Sequence, residues 1–195
     1  MRVGQVERKT SETQISLSLV LDGSGRYTGD TGIGFLDHML SQVAKHGLLD
    51  LQVHARGDIH VDLHHTVEDI GICLGQAFVS ALANGAGIRR FGHAIAPMDE
   101  ALVLVAIDIC GRGSAIIELS STAAKIGDFD VELVPEFLRA FATNGGLTLH
   151  VRQLSGTNAH HIAEATFKGL ALALRDAVTL DPRQLGIPST KGLLL

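Results

Sequence analysis

The feature that most constrains this chain is a short pattern that occurs twice. "DLHHTVED" (residues 62–69) carries His64, His65 and Glu68, and "NAHHIAEA" (158–165) carries His160, His161 and Glu164. His160 follows His64 by 96 positions, and His150 follows His54 by the same 96. "KHGLLDLQVH" and "TNGGLTLHVR", each leading towards one of the patterns, also resemble each other across a small gap. A period this long is not that of a solenoid. It predicts two similar α+β halves related by a pseudo-twofold axis. No Pro/Ser-rich linker divides them, so one duplicated domain is expected over 1–195, with halves at approximately 1–92 and 93–195.

Periodicity supplies the elements. "TQISLSLVL" (13–21) alternates apolar and polar side chains as a half-buried strand does. "GFLDHMLSQVAKHG" (34–47) has helical spacing at Phe35, Met39, Leu40 and Val43, with Gly47 as its expected stop. "LLDLQVHA" (48–55) reads as a strand. A long apolar helix is expected from Asp62 to near Gly85. The second half follows the same order. Strands are expected in "ALVLVAIDIC" (101–110) and "GSAIIELS" (113–120), then a shorter helix from Val131 with Pro135 in its first turn. A strand over 147–154 and a long helix over 159–178 complete it.

Composition narrows the function. A formal net charge of −5 disfavours nucleic acid and acidic membranes as partners, and 4% aromatic residues offer few surfaces for base stacking. No apolar run has the length of a membrane span, and "MRVGQVERKT" is too charged for a signal peptide. The two cysteines, Cys73 and Cys110, lie in apolar runs and are expected as buried thiols in the cytoplasm. Apolar residues reach 46% and charged ones only 19%, which points to subunit interfaces.

The repeated pattern carries chemistry. Successive helical residues rotate by about 100°, so His64 and Glu68 share a face with His65 beside them. An unpartnered buried carboxylate is costly, and a twice-used His-His-Glu triplet on apolar helices is poorly explained as packing. Metal ligation explains it. A histidine at i and a carboxylate at i+4 can chelate one ion, while the adjacent histidine diverges towards another. Two triplets then make two sites crosswise, each taking His and Glu from one helix and a second His from the other. His38 is a natural further ligand. Aligning the shorter helices through Gly47 and Gly145 makes Glu136 its counterpart. Imidazole and carboxylate without thiolate suit Mn²⁺, Fe²⁺ or Zn²⁺. "GIRRFG" (87–92), "CGRGS" (110–114) and "PSTKG" (188–192) place cations and hydroxyls among glycines, a setting that can hold a phosphate, while each piece alone reads as a turn with a surface cation.

"GFLDHML", "DLHHTVEDIG", "RFGHAIAPMDEAL", "TLHVRQLSGTNAHHIAEATFKGLALALR" and "IPSTKG" together resemble the imidazoleglycerol-phosphate dehydratases of histidine biosynthesis, from about Arg8 to Gly192. The resemblance implies an α+β fold of two halves, each a four-stranded mixed sheet with helices on one face, packed helix to helix. It implies a homo-oligomer of 24 subunits built from trimers, with active sites between subunits and two Mn²⁺ per site. One ion would be held by His38, His65, His160 and Glu164, and the other by His64, Glu68, Glu136 and His161. Several family members carry histidine at the position of Glu136, with His150 as the substitute ligand to consider. Arg90, Arg112, Ser189 and Lys191 match phosphate-binding positions, and His46 matches a substrate-binding helix segment. Glu12 matches an acid that meets the substrate from a neighbouring subunit.

The implied reaction is a hydro-lyase dehydration of imidazoleglycerol phosphate to imidazole-acetol phosphate and water. The departing proton has no adjacent carbonyl to acidify it. If both ring nitrogens bound metal ions, the ring could become an imidazolate and expel hydroxide to give a diazafulvene, which would acidify the next C–H. Loss of that proton gives an enol and then the ketone. Glu164 or Glu12 is expected to move the proton. A dinuclear phosphatase and a non-enzymatic metal-binding shell are the rival classes.

Overall fold

A computed structural model of the chain describes residues 1–194. In chain order its elements are β1 (Val3–Lys9), β2 (Thr13–Val20), β3 (Tyr27–Asp30), α1 (Gly34–Gly47), β4 (Asp50–Gly57) and α2 (His64–Leu82). The second half continues with β5 (Phe91–Met98), β6 (Ala101–Ile109), β7 (Ser114–Glu118), a small hairpin of β8 (Lys125–Ile126) and β9 (Phe129–Asp130), α3 (Leu133–Asn144), β10 (Leu147–Ser155) and α4 (Ala159–Val178).

One sheet has the order β1-β2-β4-β3 and the other β5-β6-β10-β7. In both, the last neighbour pairs parallel and the rest antiparallel, so each sheet is mixed. His54 and His150 stand at matching places, opposite Asp30 in one parallel ladder and Ile116 in the other. The architecture is thus the duplicated α+β arrangement of two mixed four-stranded sheets, with four helices between them.

Burial follows from period-two alternation. Ile15, Leu17 and Leu19 of β2, and Val103, Val105, Ile107 and Ile109 of β6, turn inward. The long helices cover these faces, α2 on β1 and β2, α4 on β5 and β6, while the halves join through α2 against α3 and α1 against α4. A helix packed on a sheet and on another helix is buried on most sides, which is why α2 and α4 are apolar nearly all round. Glycine permits the closest crossings. A Cβ on Gly71 would lie 2.8 Å from the Phe137 carbonyl oxygen, and one on Gly75 would lie 2.7 Å from the Gly145 nitrogen.

One expected stop holds and one expected start shifts. α1 ends at Gly47 as expected, and the residue that follows it in the left-handed conformation is Leu48, at φ 52°. The long first helix opens at His64, and Asp62 lies before it, accepting the His64 N–H at 2.8 Å. Strands β1, β3 and β5 were not readable as alternating runs. In β1 only Gly4 is fully buried, so the strand lacks an apolar signature. Cys73 and Cys110 are both buried and unpaired, and burial pushes the Cys73 thiol up to about 11. Among the described residues no helix is long and apolar enough to cross a membrane.

Asp50, at the start of β4, closes the turn that precedes β3. Its Oδ1 accepts the backbone N–H groups of Ser24 (2.8 Å) and Arg26 (3.0 Å), and its Oδ2 accepts Arg26 Nη2 at 3.0 Å. These donors, the Ser24 N–H foremost, hold its carboxyl well below the usual range. We expect Asp50→Ala to destabilise the fold by about 1–2 kcal/mol through the lost turn hydrogen bonds. Because the folded value is depressed, the contribution is full above the unfolded carboxyl value and disappears as pH falls through the folded one. Denaturant melts of both proteins should therefore differ at pH 7 and converge in strong acid.

Candidate metal centre and active site

The two copies of the pattern lie at the starts of α2 and α4. On α4 the Asn158 side chain caps the helix by accepting the N–H groups of His160 (2.9 Å) and His161 (3.3 Å), which fixes where the doublet begins. Glu164 sits one turn on, only 7% exposed. His38, on α1, faces it because α1 packs along α4.

The result is a compact cluster. His160 Nε2 lies 3.2 Å, and His38 Nε2 3.3 Å, from the same Glu164 oxygen, Oε2. One donor atom from each of the three residues lies within 4.8 Å of the others, and among the described residues this is the only such group of three. The other Glu164 oxygen, Oε1, meets Lys168 Nζ at 2.7 Å. Burial pushes the Glu164 carboxyl up, but Lys168, His38 and His160 outweigh it and leave it below its ordinary value. The Phe35 ring stands edge-on to His160 at 5.4 Å and is itself backed by Phe129. A nearly dry, ionised carboxylate with two imidazole nitrogens on one oxygen is the donor set that a divalent transition ion takes, so these residues fit such an ion.

The diverging histidines of the doublets are held differently. His161 Nδ1 lies 2.6 Å from Glu100 Oε2, and His65 Nδ1 lies 3.0 Å from Asp58 Oδ2. These carboxylates hold both imidazoles above their usual pKa. Glu12 Oε2 is 3.8 Å from His65 Nδ1. Its turn is pinned to α2 by a buried clamp in which Asp69 accepts from Thr13 Oγ1 and from Arg8, whose Nη2 is 2.9 Å away.

Within one chain, then, His38, His160 and Glu164 come together, while His65 of the same expected set stands with Asp58. His64, Glu68, Glu136 and His161 form no cluster of that kind. Glu136 lies in the first turn of α3, the helix packed on α2, with Arg139 Nη1 at 3.4 Å. His150 is exposed on β10 between the inward Leu149 and Val151, on the face turned away from the helices.

The comparisons with known proteins decide the family. The family model described as imidazoleglycerol-phosphate dehydratase matches residues 31–174. A dehydratase of that name from Moorella thermoacetica is 61% identical over 193 residues, covering 99% of this chain and 98% of its own. This chain belongs to the imidazoleglycerol-phosphate dehydratase family. The corresponding protein of Desulforamulus reducens is 59% identical over 193 residues, with the same coverage. Among solved structures, the Staphylococcus aureus dehydratase aligns with a TM-score of 0.83 at 38% identity, covering 92% of this chain and 99% of that one. The Pyrococcus furiosus dehydratase, solved in complex with (S)-C348, also gives 0.83, at 41% identity, covering 97% and 100%. As a member of that family, the chain is a hydro-lyase of the dehydration step in histidine biosynthesis.

Set in that family, the remaining positions are informative. Arg90 sits at φ 74° before β5, gripped by Asp108 (Nε to Oδ1, 2.7 Å), with its Nη1 donating to the Pro188 carbonyl oxygen at 2.9 Å. That contact is with the residue next to Ser189 in the chain, whose Oγ accepts the Lys191 backbone N–H at 3.2 Å. Arg112 is exposed in the turn after β6. His46, on the last turn of α1, lies 3.2 Å from Gln42 Oε1, and burial together with the Lys168 ammonium holds it below its ordinary pKa.

The residue patterns did not single out Lys168, Asp58 or Glu100 as parts of the site. Lys168 follows Glu164 by four positions, the helical ion-pair spacing, and so carried a readable signal. Glu100 and Asp58 join the histidines only through tertiary structure.

Proposed function

We propose that this chain performs a metal-dependent dehydration of imidazoleglycerol phosphate to imidazole-acetol phosphate and water, using two divalent ions per site, with Mn²⁺ as the working ion. The observation that carries the reading is the His38–Glu164–His160 cluster, where one carboxylate oxygen meets two imidazole nitrogens. His38, His65, His160 and Glu164 would hold one ion, and His64, Glu68, Glu136 and His161 the other. Such ions supply positive charge at the nitrogens of a bound imidazole ring and so ease electron flow out of it.

The chain's own side chains do the rest. Arg90, Arg112, Ser189 and Lys191 would grip the phosphate, a task suited to guanidinium forks and backbone N–H groups near glycine. The substrate loses hydroxide from the carbon bearing the ring, through a diazafulvene, and then a proton from the next carbon. Glu164 or Glu12 would carry that proton, since both are carboxylates beside the histidines and Glu164 is biased to its basic form. Lys168 holds Glu164 Oε1, which leaves Oε2 to face the imidazoles.

Packing supports a site shared between copies. The principal partners of α2 are α3, β1 and β2, and those of α4 are α1, β5 and β6, so one chain does not lay His65 against the His38 cluster. A homo-oligomer, which we take to be the 24-subunit particle of trimers, would supply the fourth ligand and bring Glu12 to a neighbour's substrate. Each subunit is read as one duplicated domain over 1–195, working in the cytoplasm, where two free cysteines are stable.

The test is an assay on imidazoleglycerol phosphate after chelation and dialysis. Formation of the ketone should vanish without metal and return with Mn²⁺. Turnover that persists in excess chelator, or release of inorganic phosphate in place of the ketone, would overturn the proposal.

A further inference from the structure

The two doublets solve one problem with different carboxylates. A carboxylate accepts hydrogen bonds and has no proton to give at neutral pH, so an imidazole nitrogen beside it must carry the hydrogen. Glu100 lies against His161 Nδ1 at 2.6 Å and Asp58 against His65 Nδ1 at 3.0 Å. In each neutral ring, Nε2 is then the nitrogen with the free lone pair. His38 and His160 also direct Nε2 at the metal cluster.

The chain reaches this arrangement by two routes. Glu12 and Glu100 hold corresponding places, each immediately before the second strand of its sheet. In the second half the connection from β10 to α4 is short, and its Thr157 and Asn158 N–H groups bind Glu100 Oε1 at 3.2 and 2.9 Å. That leaves Oε2 for His161. In the first half the connection from β4 to α2 is longer and supplies its own acid, Asp58, whose two oxygens lie 3.3 and 3.0 Å from His65 Nδ1. Glu12, displaced to 3.8 Å from that nitrogen and half exposed, is left free for another role.

We propose that Glu100 and Asp58 are positioning residues that select the Nδ1–H tautomer of His161 and His65, so that Nε2 is offered to the metal ion. The proposal rests on the reading of both histidines as metal ligands. It has a consequence peculiar to Glu100. In Glu100→Gln the two backbone N–H groups retain the amide oxygen, so the amide NH₂ faces Nδ1. The imidazole must then accept at Nδ1 and carry its hydrogen on Nε2, where it cannot ligate. In Glu100→Ala water replaces the carboxylate and adapts to either tautomer. The isosteric variant should therefore bind metal worse than the truncated one. No backbone donor clamps Asp58, so the amide of Asp58→Asn can turn its oxygen to Nδ1 and preserve the tautomer.

The experiment is a Mn²⁺ titration of the full-length, chelator-treated protein, with free Mn²⁺ read by electron paramagnetic resonance. Glu100→Gln should lose about 10- to 100-fold in affinity at its ion, the range typical of such supporting groups. Glu100→Ala should lose less, and Asp58→Asn should stay close to wild type. If Glu100 served only to anchor the 156–158 connection, the order would reverse, with glutamine mild and alanine severe, and that order would overturn the proposal. His161→Ala separates the two levels. Unchanged Mn²⁺ affinity in that variant would sink the ligand reading and the proposal with it. Weakened binding in His161→Ala alongside wild-type binding in both Glu100 variants would overturn the positioning role alone.

Discussion

Glu164→Gln is expected to lower kcat by about 10²- to 10⁴-fold at saturating Mn²⁺, the range for loss of a general acid or base. The change is isosteric, and the geometry allows the protein to remain folded. The amide oxygen can still accept from Lys168, and the NH₂ can face the two Nε2 atoms that now meet Oε2. What disappears is a negative charge held in its basic form on a buried carboxylate. Metal content must be measured alongside turnover, because Glu164 is also assigned as a ligand. Loss of kcat with metal retained isolates the proton-transfer role. A variant that turns over like the parent would remove Glu164 from the chemistry and leave Glu12 to carry it.

Gly92→Ala and Gly4→Ala are expected to cost about 3 kcal/mol each, at the upper end for overpacked sites. For a domain of this size that is a Tm loss of roughly 6–12 °C. A Cβ on Gly92 would lie 2.0 Å from the Ala173 carbonyl oxygen and 2.8 Å from the Ala177 nitrogen. One on Gly4 would lie 1.9 Å from the Ala77 carbonyl oxygen. Both glycines thus let the first strand of a sheet touch the backbone of its long helix. The obstacle is backbone, which cannot swing aside as a side chain can. α4 also cannot retreat freely, because α1 packs its other side and carries His38. Displacing α4 would separate His160 and Glu164 from His38, so Mn²⁺ affinity should fall with stability. Gly186→Ala is the control, since nothing lies within 4 Å of its added Cβ. Gly92→Ala melting with the parent would show that strand and helix part easily.

The candidate site was only partly readable along the chain. The duplicated triplets pointed to metal ligation because histidine and glutamate at helical spacing on apolar helices have few structural explanations. His38 entered only as a histidine on the shorter helix of the first half, and the structure lays that helix, α1, on α4. Spacing suggested that His65 and His161 are shared crosswise, but it says nothing of which helices become neighbours. Strands β1, β3 and β5 escaped because little of each is buried, so selection leaves them weakly alternating.

Local chemistry by itself settled the long helices and the places of the His-His-Glu triplets on them, and the 96-residue repeat announced the doubled architecture. The helices and triplets depend on residues three or four positions apart, a distance over which backbone geometry dictates which side chains share a face. Only tertiary structure decided that Glu164 would stand between His38 and Lys168, that glycines would admit strand to helix, and that Glu100 and Asp58 would meet the second histidine of each doublet. Those contacts join residues far apart in the chain, and their partners are chosen by how sheets and helices pack, which no local period encodes.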